Sequence, residues 1–140
     1  MNLITEIEFD IRFSETDAMG VVWHGNYLKY FEDGREAFGK KYGMSYLDIC
    51  SHGFLTPIVK SNINHKSPIY YGQRAKIITR LLPNKAAKII FDYEIINIST
   101  NKISANGSTM QVFILEQSRE MVLNIPDFYL DWESKLGIKK

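Results

Sequence analysis

Apolar and charged residues alternate at the beginning of the chain, which predicts a β-strand with one buried and one solvated face. The apolar positions are Ile7, Phe9, Ile11 and Phe13, and every residue between them is acidic or basic. In an extended segment, a period of two places all the apolar side chains on the same side. We therefore expect a first strand whose neighbours in the sheet come from later in the chain.

A different period follows between residues 26 and 42. Apolar positions there recur at steps of three and four, and charged residues fill the opposite face, so one long helix is predicted. Its buried stripe would consist of Tyr27, Phe31, Gly34, Phe38 and Tyr42. Gly43, which follows two lysines, is expected to end the helix. Glycine costs about 1 kcal/mol of helix propensity relative to alanine, so Gly34 predicts close packing against a sheet.

After a short amphipathic turn, the long segments have the pattern of strands, and a helix closes the chain. The predicted strands are 55–65, 73–82, 87–96 and 103–115. The last two strands flank a polar turn and should pair as a hairpin. The proline at 126 and the apolar residues behind it predict a helix at about 126–136. One long helix among antiparallel strands is typical of an α+β domain, here spanning residues 1–140.

The composition limits the partners that the protein can have. With 140 residues the chain is expected to form one domain, and its formal net charge of +1 provides no field that would attract nucleic acid. No apolar run reaches the roughly 18 residues of a membrane span. The acidic N-terminal segment is unlike a secretory signal, and the single cysteine, Cys50, fits a reducing compartment. We expect a cytoplasmic protein whose partner is a small molecule or another protein.

The loop between the first strand and the long helix contains the candidate chemistry. It carries Asp17 and, seven positions later, His24, directly before the helix start at Gly25 and Asn26. The first backbone N–H groups of a helix lack intrahelical partners and favour negative charge, and the predicted first turn has no acid to fill this place. Gly25 or Asn26 is expected to cap the helix, and Gly25 would also let a ligand approach the backbone. An acid, an imidazole and a positive helix end could therefore share one pocket.

Other catalytic motifs are missing from the sequence. The three histidines and one cysteine show no zinc spacing, so no metal site is expected. There is no Gly-x-Ser-x-Gly elbow and no glycine-rich phosphate loop, which argues against a serine hydrolase or a nucleotide-binding enzyme. Cys50 has no evident histidine partner and is interpreted as a packing residue.

The segment from Asp17 to Leu28, with the sequence DAMGVVWHGNYL, resembles the signature of the 4-hydroxybenzoyl-CoA thioesterase family. It is most similar to the subgroup of short-chain acyl-CoA thioesterases whose loop carries both Asp and His. The similarity extends over most of the domain and includes the segments 30–32, 57–59, 67–69 and 105–113. The resemblance implies a hotdog fold, in which a curved antiparallel sheet wraps around one long helix, and two subunits pair to form the active sites.

The resemblance also implies roles for individual residues. Asp17 would be the nucleophile or the general base that activates water, and a backbone amide near His24 and Gly25 would bind the thioester oxygen. His24 would orient the substrate or tune Asp17. Substrate contacts would come from Val22, Trp23, Asn26, Tyr27 and Val59.

Hydrolysis of an acyl-CoA thioester, or of an acyl-carrier-protein thioester, is the activity that the resemblance implies. No cofactor is expected, because CoA is part of the substrate. We expect a homodimer or a dimer of dimers, because the predicted hairpin at 87–115 offers edge strands that a second subunit could extend. A hotdog dehydratase or hydratase, or a non-catalytic module that binds acyl-CoA or an acyl carrier, remains an alternative.

Overall fold

A five-stranded antiparallel sheet with a long helix packed on it forms the core of the protein. The computed structural model describes residues 3–140, so residues 1–2 of the predicted domain lie outside the described residues. Its elements in chain order are β1 (Ile4–Asp10), a 3-10 turn (Phe13–Glu15), α1 (Asn26–Tyr42), α2 (Tyr46–Ser51), β2 (Phe54–Leu55), β3 (Ile58–His65), β4 (Arg74–Leu82), β5 (Lys88–Asn97), β6 (Lys102–Val112), β7 (Ile114–Leu115) and α3 (Asp127–Lys135). This α+β arrangement is that of the hotdog fold, as predicted.

The order of strands in the main sheet is β1-β4-β5-β6-β3, with every neighbouring pair antiparallel. The predicted hairpin of β5 and β6 is confirmed, but the expectation that it offers free edges is wrong. Each of its strands pairs on its other side with a strand from earlier in the chain, β4 or β3. Strand periodicity shows which face is apolar but not which strands become neighbours, so the edges, β1 and β3, were not evident from the sequence.

The long helix α1 has the predicted bounds and buries the predicted stripe from Tyr27 to Phe38, while Tyr42 is half-buried. Phe31 is fully buried and stacks on Tyr93 of β5, with a centroid separation of 4.3 Å and an interplanar angle of 5°. At Gly34 an added Cβ would overlap the Thr79 hydroxyl oxygen and lie 3.1 Å from Ile77 Cδ1, both on β4. The close helix–sheet approach predicted at this glycine is therefore confirmed. Gly43 ends the helix in the left-handed conformation, with φ of 77°.

Two strand boundaries differ from the prediction. The alternating pattern continues to Phe13, but β1 ends at Asp10 because its partner strand begins at Arg74, the residue opposite Asp10. Phe13 lies instead in the 3-10 turn with 74% of its surface exposed. The predicted strand 55–65 is divided at Pro57, which has no N–H for a sheet, and 103–115 is divided at Phe113. The short strands β2 and β7 pair with each other.

The C-terminal helix α3 forms near the predicted position and packs against the end of α1. The Trp132 indole N–H donates to the Tyr42 carbonyl at 2.6 Å, which satisfies an acceptor in the last turn of α1. Tyr129 packs edge-on against Phe113 at 5.2 Å. The helix thus closes the end of the core opposite the start of α1.

The close contact at Gly34 can be tested by adding one methyl group and measuring the free energy of unfolding. Gly34→Ala should lower the free energy of unfolding by about 1–2 kcal/mol, because overpacking outweighs the gain of about 1 kcal/mol in helix propensity. Chemical denaturation would measure it. In a Thr79→Ala background, which removes the overlapped hydroxyl, Gly34→Ala should be neutral or stabilising. Equal losses in both backgrounds would contradict a close contact with Thr79.

Candidate active site

The loop between β1 and α1 folds into a small antiparallel ladder. Thr16 and Val22 form a β-bridge, and the Asp17 N–H donates to the Val21 carbonyl at 2.9 Å. At the other end of the ladder the Trp23 N–H donates to the Glu15 carbonyl, also at 2.9 Å. The loop therefore has a defined backbone conformation, although it belongs to neither the helix nor the sheet.

Residues directly before β4 hold this loop in place. The Val22 N–H donates to the carbonyl of the fully buried Ile69 at 2.8 Å, and the Tyr71 N–H donates to the Gly20 carbonyl at 3.1 Å. Gly20 has φ of 77°, a conformation that is inexpensive for glycine and strained for other residues. The turn that carries Asp17 is thus attached to the core of the domain.

Asp17 is half-buried, and one of its carboxylate oxygens is held by its own turn. Oδ1 accepts a hydrogen bond from the Met19 N–H at 2.9 Å. Within residues 3–140, Oδ2 accepts no hydrogen bond, and no hydrogen bond or ion pair joins Asp17 to His24. Along the ladder, the backbone of Asp17 lies two residues, or about 7 Å, from the pair formed by Glu15 and Trp23. His24 lies on the other side of that pair. The acid and the helix start therefore share one loop without a direct contact between Asp17 and His24.

The start of α1 has free donors, as the sequence indicated. Gly25 is the N-cap residue, no side chain caps the helix, and the first turn contains no acid. Asn26 does not cap; its side-chain N–H donates to the Glu15 carbonyl at 2.7 Å and ties the helix to the loop. In the part of the chain that the structure describes, the backbone N–H groups of His24 and Gly25 have no acceptor.

The space beside Gly25 is filled by Trp23. A Cβ at position 25 would overlap the indole ring, which lies across the helix start with 48% of its surface exposed. The glycine was expected to leave room for a ligand, but the structure shows that it first leaves room for this ring. A ligand that approaches the free N–H groups would therefore meet the indole of Trp23.

Aromatic rings surround His24 on two sides. The Trp23 and His24 ring centroids are 5.1 Å apart, and the His65 ring meets the His24 ring edge-on at 6.3 Å. His65 also lies edge-on to Tyr27 at 5.3 Å. His65 lies at the end of β3, and its spacing in the sequence indicates no function. No local pattern could have indicated its position, because the pairing of β3 with β6 brings it to the helix start.

Burial keeps the tyrosines of this region neutral. Burial raises the pKa of Tyr27. Burial and, next to it, the nearby Glu15 carboxylate raise the pKa of Tyr30. Burial and the same carboxylate also raise the pKa of Asp33. Since neither tyrosine can become a phenolate near neutral pH, neither can act as a proton acceptor. Apart from Glu15, whose carboxylate accepts from the Arg12 N–H at 2.7 Å, the candidate proton acceptors of the loop are Asp17 and His24.

The predicted substrate contacts lie in different environments. Val22, Asn26 and Tyr27 are buried within the chain, so their side chains support the loop and the helix start. Trp23 and Val59 are exposed, and Val59 lies on the edge strand β3. Only these two side chains of the predicted set are open to a ligand in this conformation.

A cavity of about 590 Å³ lies elsewhere, between α1, α2, α3 and the adjacent strand ends. Its floor is apolar and includes Phe38, Phe91 and Trp132, and Glu32 and Arg35 of α1 stand at its side. None of the predicted site residues lines it. Over residues 3–140 no three His, Cys, Asp or Glu side chains converge as metal ligands, and no helix is long and apolar enough to cross a membrane.

Comparison with known proteins gives matches over almost the whole chain. The profile of the thioesterase-like superfamily matches residues 11–132. The Bacillus subtilis protein YneP, which carries the name acyl-CoA thioesterase, is 31% identical over 133 residues that cover 93% of this chain and 96% of YneP.

Solved structures give the same result. DHNA-CoA thioesterase from Staphylococcus aureus superposes with a TM-score of 0.80 and 33% identity, covering 97% of this chain and 91% of that one. A 1,4-dihydroxy-2-naphthoyl-CoA thioesterase from Synechocystis superposes with a TM-score of 0.83 over 97% of this chain and 99% of its own, and its 23% identity supports the fold.

The contact between Gly25 and Trp23 can be tested without a substrate. Gly25→Ala should displace the indole and shift the Trp23 indole N–H resonance in an NMR spectrum. The buried Trp132 provides an internal control, since its indole N–H, bound to Tyr42, should not move. In a Trp23→Ala background, Gly25→Ala should change the free energy of unfolding by less than about 0.5 kcal/mol. An unchanged Trp23 resonance would contradict the position of the ring.

Proposed function

Because this chain belongs to the thioesterase-like superfamily, we propose that it hydrolyses acyl-CoA thioesters to a carboxylic acid and free CoA. Water adds to the thioester carbonyl, the carbon–sulfur bond breaks, and the CoA thiolate takes up a proton. The observation that carries the proposal is the loop in which a fixed carboxylate and a helix start with free N–H donors occur together. The names of the relatives, acyl-CoA thioesterase and DHNA-CoA thioesterase, support CoA as the thiol carrier.

Asp17 is the proposed catalytic carboxylate, acting as general base or as nucleophile. Its Oδ1 is oriented by the Met19 N–H, and its Oδ2 is free to take a proton from water or to attack the carbonyl carbon. As a base, it would deprotonate the attacking water. As a nucleophile, it would form a mixed anhydride that water then hydrolyses. In either role the group must be ionised, and the turn presents it without a competing cation among the described residues.

The free N–H groups of His24 and Gly25 are the proposed site for the thioester oxygen. That oxygen gains negative charge as the tetrahedral intermediate forms, and donors that are already oriented need no rearrangement to stabilise it. One such donor often contributes about 3 kcal/mol to the transition state. The positive end of α1 adds to this effect, because no acid in the first turn cancels it. His24 would orient the substrate beside these donors, and the reaction needs no cofactor or metal.

A homodimer that extends the sheet at β3 is part of the proposal. The other edge strand, β1, exposes Glu6, Glu8 and Asp10, and a second copy of that strand would bring like charges together. The β3 edge instead exposes Ile58 and Val59 and carries a single basic residue before His65. Since β3 ends beside the start of α1, pairing at this edge would place a second subunit next to the proposed site.

Two other functions make different products. A hotdog dehydratase or hydratase would leave the thioester intact and form or consume an enoyl group. A non-catalytic module would bind the thioester and release no thiol. Assays with matched acyl-CoA and acyl-carrier-protein substrates, followed by thiol detection and product analysis, separate these functions from hydrolysis.

Replacing Asp17 by Asn should abolish most turnover without unfolding the loop. The amide oxygen can still accept from the Met19 N–H, so the turn is retained, but the amide is neither a base nor a nucleophile. We expect kcat to fall by at least about 100-fold, the usual lower range for loss of general-base catalysis, with an unchanged melting temperature. Thiol release measures the rate.

His24→Ala serves as the comparison for this variant and should lower kcat less than Asp17→Asn. Near-normal turnover by Asp17→Asn would rule out the assigned role.

Charge at the β3 edge should disrupt the proposed dimer. Val59→Glu would replace an apolar side chain of a β3–β3 junction by a carboxylate in both copies, and burying these charges is costly, so the molar mass measured by light scattering should fall to that of one chain. Leu123→Glu is the matched control, because Leu123 is 80% exposed and lies outside the sheet. If Val59→Glu and the wild type have the same mass, the β3 interface is wrong.

A further inference from the structure

His65 is the one imidazole of the described chain that lies against the proposed site without a role in the reaction as outlined above. We propose that it is a positioning residue, whose ring holds the His24 imidazole in a fixed orientation at the start of α1. The kinetic part of this inference rests on the proposed thioesterase function. The geometric part does not, because it concerns only the orientation of one ring by another.

The backbone of His65 is firmly held. In the β3–β6 ladder His65 lies opposite the fully buried Ala105, and the next two residues both donate from their N–H groups to the Ser104 carbonyl, at 2.8 and 3.2 Å. Side chains two apart on a strand share a face, so His65 lies on the same side as Ile63, which packs against the core. The ring therefore projects from a rigid strand end towards the helix.

Tyr27 gives the His65 ring a second support. Tyr27 is buried in the first turn of α1, with 4% of its surface exposed, and its ring meets His65 at 62°. Edge-to-face contacts between aromatic rings restrict the rotamers that each ring can occupy. His65 is thus set by the core on one side and contacts His24 on the other.

His24 needs such support because its own surroundings are open. It is exposed and precedes the helix, so no turn of α1 restrains its side chain. Trp23 contacts it on one side at an interplanar angle of 52°, and His65 meets it at 84°. With both rings in place, the imidazole is confined beside the free N–H groups of His24 and Gly25. Without His65, one of these two aromatic neighbours is lost.

This role depends on the shape of the His65 ring and not on its protons. His65→Phe should therefore preserve the orientation of His24, whereas His65→Ala should release it. Loss of orientation acts on the reacting geometry more than on the binding of CoA, so the effect should appear in kcat rather than in KM.

The experiment compares His65→Ala, His65→Phe and His52→Ala in the full chain. His52 is a matched control, since it is also an exposed histidine in contact with an aromatic ring, Phe128 at 4.4 Å, and belongs to α2 and its surroundings. Two quantities are measured: the NMR chemical shifts of the His24 ring protons, assigned with His24→Ala, and the kcat and KM of thiol release.

We expect His65→Ala to move the His24 ring signals towards their values in an unstructured peptide and to lower kcat about two- to tenfold, with KM within twofold. His65→Phe and His52→Ala should keep kcat within twofold of the wild type. Unchanged His24 shifts in His65→Ala would overturn the inference, and so would a His65→Phe variant as slow as His65→Ala. If the wild type releases no thiol, the proposed function fails while the NMR comparison still decides the positioning role.

Discussion

The close packing of α1 on the sheet determines the position of everything else in this protein. Gly34 brings the helix axis near β4, and the stacked rings of Phe31 and Tyr93 fix it against β5. A helix that is held along its length also has a fixed N-terminus, and the free N–H groups of the proposed site are at that end. The proposed chemistry at the helix start thus depends on a contact in the middle of the helix, about two turns away.

The loop before α1 holds the Asp17 carboxylate through backbone donors and not through a cation. Backbone hydrogen bonds to Ile69 and Tyr71 fasten the loop, and the Met19 N–H orients one oxygen of Asp17. All of these donors are backbone N–H groups, so the acid is fixed in space without an ion pair among the described residues. Its place in the same loop as the free N–H groups agrees with the proposal that the carboxylate acts on water or on the carbonyl carbon and the helix end acts on the carbonyl oxygen.

The aromatic residues of the site also divide into two groups. Tyr27 and Tyr30 are buried, and their raised pKa values keep them neutral, so they serve as supports. Trp23, His24 and His65 form the exposed layer above them, and the indole covers Gly25. The glycine before α1 is therefore explained by packing within the chain, and a ligand that approaches this glycine would have to displace Trp23.

The sequence by itself determined the elements that depend on local periodicity and on single residues. Four features depend on residues that are close together in the sequence, where the energetic preference is local. They are the bounds of α1, the cap at Gly43, the close contact at Gly34 and the hairpin of β5 and β6. The motif from Asp17 to Leu28 likewise indicated the thioesterase-like superfamily, because it is one continuous stretch. Only the tertiary structure decided which strands form the edges, that β1 stops where its partner begins, and that Trp23 lies on Gly25. It also decided that His65 reaches His24, since the contact joins positions far apart in the chain. Such contacts depend on how strands pair across long loops, and the apolar pattern of a strand specifies its buried face without specifying its neighbour.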